Sequence, residues 1–398
     1  MDNWQELEHK YYMQTFYRAP ITIVKGQGAK VWDDKGKEYL DFVAGWAVNS
    51  LGHCHPAVVK AVSEQAGTLI QTSNNFYTIP QLKLAKLLVD NSVLDRIFFC
   101  NSGTEATEGA VKLARRYGKL KLKGAYEVIT ATGSFHGRTL AMVSASGQSK
   151  YQEPYTPLPT GFINVEYNNP QAIKAAITDK TCAVMLEPIQ GESGVNVPDK
   201  GYLKAVRQIC DEAGILLILD EIQTGIGRTG KLFAYEHSGI EPDIITLAKG
   251  LAAGVPIGAF MAKESASVFA KGEHGSTFGG NPLACAAGYA AMKFILDNHI
   301  SENAGSMGSY LAEGLEKLKI KHSLIQGCRG CGLLMALDFK TNIAKEIVES
   351  CLEEGLLLNA VKPNALRFMP PLNITQADID AALAKLDSVL TRHESCGV

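Results

Sequence analysis

From residue 128 to residue 247 the chain repeats one arrangement: a short apolar run, an intervening helical or polar stretch, and another apolar run. Residues 128–130, 182–187, 215–220 and 244–247 form such runs, without the apolar–polar alternation of a strand that is wet on one face. Between the middle two lies an amphipathic stretch at 201–213. Gly214 stops it, because glycine takes the left-handed conformation that ends a helix at no steric cost. Short strands buried on both faces and joined through helices predict an α/β chain with a mostly parallel sheet, covered by helices on both sides.

The flanks read differently. The first fifty residues alternate apolar and polar positions in ITIVKG, GAKVWDD and KEYLDF, punctuated by Gly and Asp, which predicts short strands and turns. Residues 56–69, 80–89 and 104–117 have apolar residues at helical spacing. After residue 298 the pattern predicts helices at 301–318, 343–354 and from 376, with a strand at 332–339, a smaller α+β unit. The opening strands belong to no large-domain pattern, so both chain ends are expected to build that unit together. The expected division is 1–50 (strand segment joining the small domain), 51–297 (large domain) and 298–398 (small domain). A length of 398 residues suits one large core plus a satellite.

Charge and composition narrow the partners. A formal net charge of −2 and a pI near 6.5 give no electrostatic reason to expect nucleic acid or an anionic membrane. The local cluster Arg115, Arg116, Lys119, Lys121 and Lys123 reads as a solvated helix end. The opening MDNWQELEHKYY has no apolar core like that of a signal peptide, and no apolar run is long enough to span a bilayer. Nine scattered cysteines then read as reduced thiols in a cytoplasmic protein. Cys328 and Cys331 have CxxC spacing, but neither a second pair nor a histidine nearby in sequence completes a zinc site, so no metal is expected.

Open α/β sheets place ligands at the carboxyl ends of their strands. Asp220 ends ILLILD there, and Lys249 follows DIITLA between Ala248 and Gly250. Desolvation of such a lysine would favour the neutral amine that forms a Schiff base; the alternative is an amine reaching off a strand end into water. The turn Asn101-Ser102-Gly103-Thr104 precedes a helix, and reads either as a phosphate cradle or as a simple N-cap. Gly225-Ile226-Gly227-Arg228-Thr229-Gly230 matches GxGxxG, but four residues separate it from the strand and no helix opens at its end. Leu232 stands where a P-loop needs Ser or Thr. Neither nucleotide reading holds.

Taken together, nine motifs in one order carry a resemblance: GHCHP (52–56), TSNNFYTIP (72–80), NSGTEA (101–106), SFHGRT (134–139), EPIQGESG (187–194), DEIQTGIGRTG (220–230), LAKGL (247–251), HGSTFGGNPLAC (274–285) and LRFMPPL (366–372). The chain resembles the subgroup III (ω-amino acid) pyridoxal-phosphate (PLP) aminotransferases of fold type I, and among them the acetylornithine branch. That resemblance implies a seven-stranded sheet and a homodimer with shared active sites. It implies that Lys249 holds PLP as a Schiff base and later shuttles a proton. Asp220 pairs with the pyridine nitrogen, Gln223 with the ring hydroxyl, and Ile222 and Phe135 pack the two ring faces. Ser102, Gly103 and Thr104 hold the phosphate, with Ser276 and Thr277 reaching in from the neighbouring subunit.

For substrate, the resemblance implies that Arg138 takes a carboxylate and that Glu192 neutralises Arg367 with one acid bound and releases it for another. Trp46 stands where the family carries a smaller aliphatic residue or a tyrosine, and either narrows the pocket or packs the core. Phe16 or Tyr17 takes the place of a tyrosine that ornithine transaminases use; Phe16 there favours an acylated donor. Ser193 replaces a common glycine. The implied reaction moves the terminal amine of N-acetyl-L-ornithine to 2-oxoglutarate, giving the semialdehyde and glutamate. Ornithine or 4-aminobutyrate transamination is the nearest alternative. A PLP mutase or racemase and a non-catalytic relative are more distant ones.

Overall fold

The structure, a computed structural model, describes residues 4–395; Cys396 and the first three residues of the opening stretch lie outside them. Its strands in chain order are β1 (Ile23–Gln27), β2 (Lys30–Asp33), β3 (Glu38–Asp41), β4 (Arg96–Cys100), β5 (Glu127–Ala131), β6 (Phe162–Val165), β7 (Thr181–Leu186), β8 (Leu216–Asp220), β9 (Ile244–Leu247), β10 (Gly258–Ala262), β11 (Ile325–Cys331), β12 (Leu334–Phe339), β13 (Leu356–Leu357), β14 (Asn359–Lys362) and β15 (Ala365–Phe368). Seven of them form the central sheet in the order β4-β10-β9-β8-β7-β5-β6. Every neighbouring pair is parallel except the two that β10 makes, so the sheet is mostly parallel and of fold type I.

The unbroken apolar runs have a direct cause. On β8, Leu216 and Ile218 pack with Ala110, Val111 and Ala114 of the helix Gly103–Lys121, whereas Leu217 and Leu219 pack with Val206, Ile209 and Cys210 of the helix Tyr202–Ala213. Alternate side chains of one strand thus feed two cores on opposite faces, and neither face can be polar. Gly201 and Gly214, both left-handed, bracket the second helix.

Two four-stranded sheets flank this body. One has the order β1-β2-β3-β13 and the other β11-β12-β15-β14. β3 pairs in parallel with β13, Leu40 opposite Leu356, which joins the two ends of the chain. β4, β6, β10, β11, β14 and β15 are elements that the reading of the sequence does not mark. β6 is half-buried along its whole length, and β11 carries two glycines and two cysteines, so neither shows a clean apolar period. The glycine run after Asp220 opens no helix. It is a series of turns whose Arg228 is fully buried and donates to the carbonyls of Leu333 and Pro370.

No helix among the described residues is long and apolar enough to cross a membrane. No group of three or more His, Cys, Asp and Glu among them could hold a metal ion. Cys328 lies 3.3 Å from Glu316 Oε1 and Cys331 3.3 Å from the Thr229 carbonyl, and both are free thiols. The fold does bring His237 Nε2 to 3.8 Å from Cys331 Sγ, a neighbour 94 positions away in sequence.

Candidate active site

A cavity of about 400 Å³ opens at the carboxyl ends of β7, β8 and β9. Ser102, Gly103, Thr104, Phe135, Arg138, Glu192, Asp220, Ile222, Gln223 and Lys249 all line it.

Asp220 ends β8 and is buried. Its Oδ1 accepts from Thr246 Oγ1 and from the Ile222 amide, each at 3.1 Å, and its Oδ2 lies 2.7 Å from His136 Nδ1. An ionised carboxylate can only accept, so His136 presents Nδ1–H to it. His136 is held by its own backbone, which donates to Ser146 Oγ and accepts from Thr107 Oγ1, and its Nε2 is buried without a partner.

Lys249 follows β9 with φ 39°, a left-handed conformation that a non-glycine residue adopts under strain. Burial lowers its amine below the ordinary lysine range, against the pull of the Glu192 carboxylate. Glu187, one residue past β7, accepts from the amides of Phe135 (2.9 Å) and Gly191 (3.1 Å); burial pushes its carboxyl up to about 7.

Ser102 caps the helix Gly103–Lys121, its Oγ accepting from the Glu105 amide, so the capping reading of this turn holds while the turn also lines the cavity. At Gly103 a Cβ would come within 2.9 Å of Ile222 Cδ1. Gly137 is tighter still. A Cβ there would lie 2.1 Å from Thr104 Oγ1, and its φ of 139° suits glycine alone. That close approach lets the Arg138 amide donate to Thr104 Oγ1 at 3.2 Å, which ties the 134–139 loop to the helix N-terminus.

Behind Glu192 and Gln223, Arg367, fully buried on β15, donates from Nη1 to Glu192 Oε1 and the Gly191 carbonyl, both at 2.9 Å, and to Gln223 Oε1 at 3.3 Å. Its Nε donates to Asn359 Oδ1, while its Nη2 is buried and unpartnered. Burial opposes ionisation of Glu192, but the Arg367 and Lys249 charges outweigh it and bring the carboxyl to about 2. Gln223 Nε2 also donates to Glu192 Oε1, so the amide bridges both members of this pair.

Five residues singled out in the sequence do not line the cavity with the rest; Arg367, one of them, reaches it only through Glu192 and Gln223. Trp46 is half-exposed with its ring 5.3 Å from the Arg367 guanidinium. Phe16 is exposed and packs on Tyr12 and Arg18. Ser276 Oγ accepts from Asn101 Nδ2 at 3.1 Å, and Thr277 is exposed, its carbonyl accepting from Gln71. Conversely, Asn101, His136 and Glu187 line the cavity without having been assigned a role. The strand-end rule that finds Asp220 and Lys249 also points to Glu187. His136, inside a loop, carries no such signal.

The chain matches the family model "Aminotransferase class-III" over residues 11–390. It is 53% identical over 385 residues to the acetylornithine aminotransferase of Caldanaerobacter subterraneus subsp. tengcongensis, covering 96% of this chain and 98% of that one. Among solved structures, the ornithine aminotransferase of Toxoplasma gondii superposes with a TM-score of 0.95 at 36% identity, covering 98% and 95% of the two chains. The acetylornithine aminotransferase of Elizabethkingia anophelis superposes at 0.87 with 35% identity, covering 98% of each. A full-length family match and relatives this similar, around a cavity with a lysine and an aspartate at adjacent strand ends, establish that the chain belongs to the class-III aminotransferases.

Proposed function

We propose that the protein is a PLP-dependent aminotransferase that moves the terminal amine of N-acetyl-L-ornithine to 2-oxoglutarate, giving N-acetylglutamate semialdehyde and glutamate in arginine synthesis. The observation that carries this is the convergence in one cavity of a desolvated lysine, a buried aspartate and the N-terminus of a 19-residue helix. The residues fit the cofactor. Gly103 and Gly137 leave backbone bare where a Cβ would close the turn, and Asp220 keeps a buried carboxylate where a protonated ring nitrogen needs one. When bound, PLP supplies an aldehyde that amines condense with and a ring that takes up an electron pair.

The chain's own residues do the rest. Lys249, its pKa lowered by burial, would hold the cofactor and then serve as the base at the amine-bearing carbon of the donor. Asp220, oriented by His136 and Thr246, would keep the ring nitrogen protonated. Ile222 and Phe135 would confine the ring, Gln223 would face its hydroxyl, and Ser102, Gly103 and Thr104 would hold the phosphate. Arg138 receives the donor's carboxylate, and a guanidinium fork suits it bidentately. Glu192 neutralises Arg367 in the donor half-reaction and turns from it in the 2-oxoglutarate half, which lets one pocket serve both acids. Trp46 borders that switch, its ring 5.3 Å from the Arg367 guanidinium, and Phe16 stays a candidate for donor selection. Replacing Glu192 by Gln removes the neutralising charge, so kcat/KM for glutamate relative to the terminal-amine donor should rise at least about tenfold, the scale of a desolvated group left unpaired. An unchanged ratio would remove the switch from this reading.

A homodimer completes the site. Ser276 and Thr277 fail to reach their own chain's cavity, and exposed Phe76, Tyr77 and Phe278 offer an apolar surface beside them. We also propose the division 1–50, 51–297 and 298–398, supported by the three separate sheets, and a cytoplasmic location, supported by the eight cysteines among the described residues, all of them free thiols. The substrate is decided by comparing kcat/KM for N-acetyl-L-ornithine, ornithine, 4-aminobutyrate and N-succinyl-diaminopimelate with 2-oxoglutarate as acceptor. The first should lead; a lead for any other replaces it as the donor.

A further inference from the structure

The two arginines of the site are held in opposite ways. Arg367 spends its N–H groups on a carbonyl, a carboxylate and two side-chain amides. The Arg138 guanidinium makes no hydrogen bond or ion pair with any described residue; only its backbone amide is engaged, by Thr104. It rests instead on aromatic rings. Its Cζ lies 4.1 Å from the centroid of Tyr151 and 5.4 Å from that of Phe135. The two rings meet edge to face, with centroids 5.8 Å apart at 76°.

We propose that Tyr151 is a specificity-determining positioning residue, an aromatic shelf that fixes the Arg138 guanidinium over its ring while leaving the N–H fork free for the donor's carboxylate. A cation held through a ring face keeps its in-plane donors available, whereas a carboxylate partner would occupy them and compete with substrate. An exposed arginine without such a shelf loses rotamer freedom on every binding event. The edge-to-face contact also registers the shelf against Phe135, which lines the same cavity.

The shelf is itself anchored. Tyr151 sits in the short helix Ser149–Gln152; Gln148 before it binds back to the loop that carries Phe135 and Arg138, and Gln152 after it binds β6 and the end of the helix that follows that loop. Gln148 Nε2 donates to the Ser134 carbonyl at 2.9 Å. Gln152 Nε2 donates to the Ser146 carbonyl at 2.8 Å and to Asn164 Oδ1 at 3.2 Å. Two glutamines therefore fix the shelf from both sides, while the Tyr151 hydroxyl makes no hydrogen bond that would explain a tyrosine there. The Lys150 ammonium, 4.7 Å from the same ring, adds positive charge at the point where an anion is to bind.

The inference rests on Arg138 being the carboxylate site. It is tested on holoenzyme with the donor of highest kcat/KM, in Tyr151→Leu, Tyr151→Phe and Arg138→Leu. Tyr151→Leu should raise the donor KM about two- to fivefold, the scale of one cation–π contact at an exposed arginine, with kcat within about twofold of the parent. Tyr151→Phe, which keeps the ring face and loses only the hydroxyl, should restore the parent KM. Tyr151→Met, similar in volume, replaces the leucine variant should that one fail to fold. A parental KM in the leucine or methionine variant while Arg138→Leu raises it overturns the shelf and leaves the carboxylate site standing. A parental KM in Arg138→Leu overturns the carboxylate site and the shelf with it. Failure of Tyr151→Phe to restore KM, or a fall in kcat matching the rise in KM, also overturns it, because either assigns Tyr151 to its hydroxyl or to general packing.

Discussion

Lys249→Ala is expected to lower turnover by at least about 10⁴-fold, the upper end of what a positioned proton-transfer group contributes. Among the described residues no other amine lines the cavity to take its place. Burial removes part of the hydration that favours a charged lysine and lowers its pKa, which eases loss of the proton from the native residue. Alanine deletes that amine and relieves the positive-φ strain only slightly, since alanine too is disfavoured at φ 39°. The fold should therefore survive, with an unchanged far-ultraviolet circular dichroism spectrum. The parent should carry covalently bound cofactor after borohydride reduction and the variant none. Turnover within about tenfold of the parent would displace Lys249 from the centre of the mechanism.

Asp220 should show the second-largest effect, and two substitutions separate its two duties. Asp220→Ala removes acceptors from the Ile222 amide, Thr246 Oγ1 and His136 Nδ1 at once. Each buried donor left unpaired costs about 1–3 kcal/mol, so the thermal midpoint should fall by several degrees. Asp220→Asn keeps an acceptor oxygen but not the charge, and should be much less destabilised. Both should lose about 10²–10³-fold in kcat, the scale of breaking a buried charge pair at about 3–5 kcal/mol. An asparagine variant with near-parental kcat would mean that the carboxylate is structural.

What the sequence revealed of this site follows a physical boundary. Asp220 and Lys249 were legible because each ends an apolar run, where the sheet forces the next polar residue to its rim. Glu187 follows β7 by the same logic, but it lies inside EPIQGESG, where the resemblance assigns a role to Glu192 instead. His136 and Tyr151 were out of reach. Their partners, Asp220 and Arg138, meet them only through folded loops, and no period marks a residue that acts through another. β10 escaped for a different reason: it begins at a glycine just after Pro256, so the usual signs of a turn precede a fully buried strand. Ser276 and Thr277 were legible only as a resemblance, because neither ends an apolar run nor lines the cavity of its own chain.

The pairing of Leu40 with Leu356 sets a clock on synthesis. These partners lie 316 positions apart, so β3 emerges from the ribosome long before β13 exists. At about 5–20 residues per second the open edge of the nascent N-terminal sheet waits for roughly tens of seconds. It waits as an unpaired edge with Leu40 and Phe42 uncovered, a surface that invites pairing with another chain. The large sheet, complete by residue 262, can form meanwhile. The nascent molecule thus passes through a stage with its cofactor-facing strands assembled and its first strands still unpartnered, the stage at which chaperone capture would matter most.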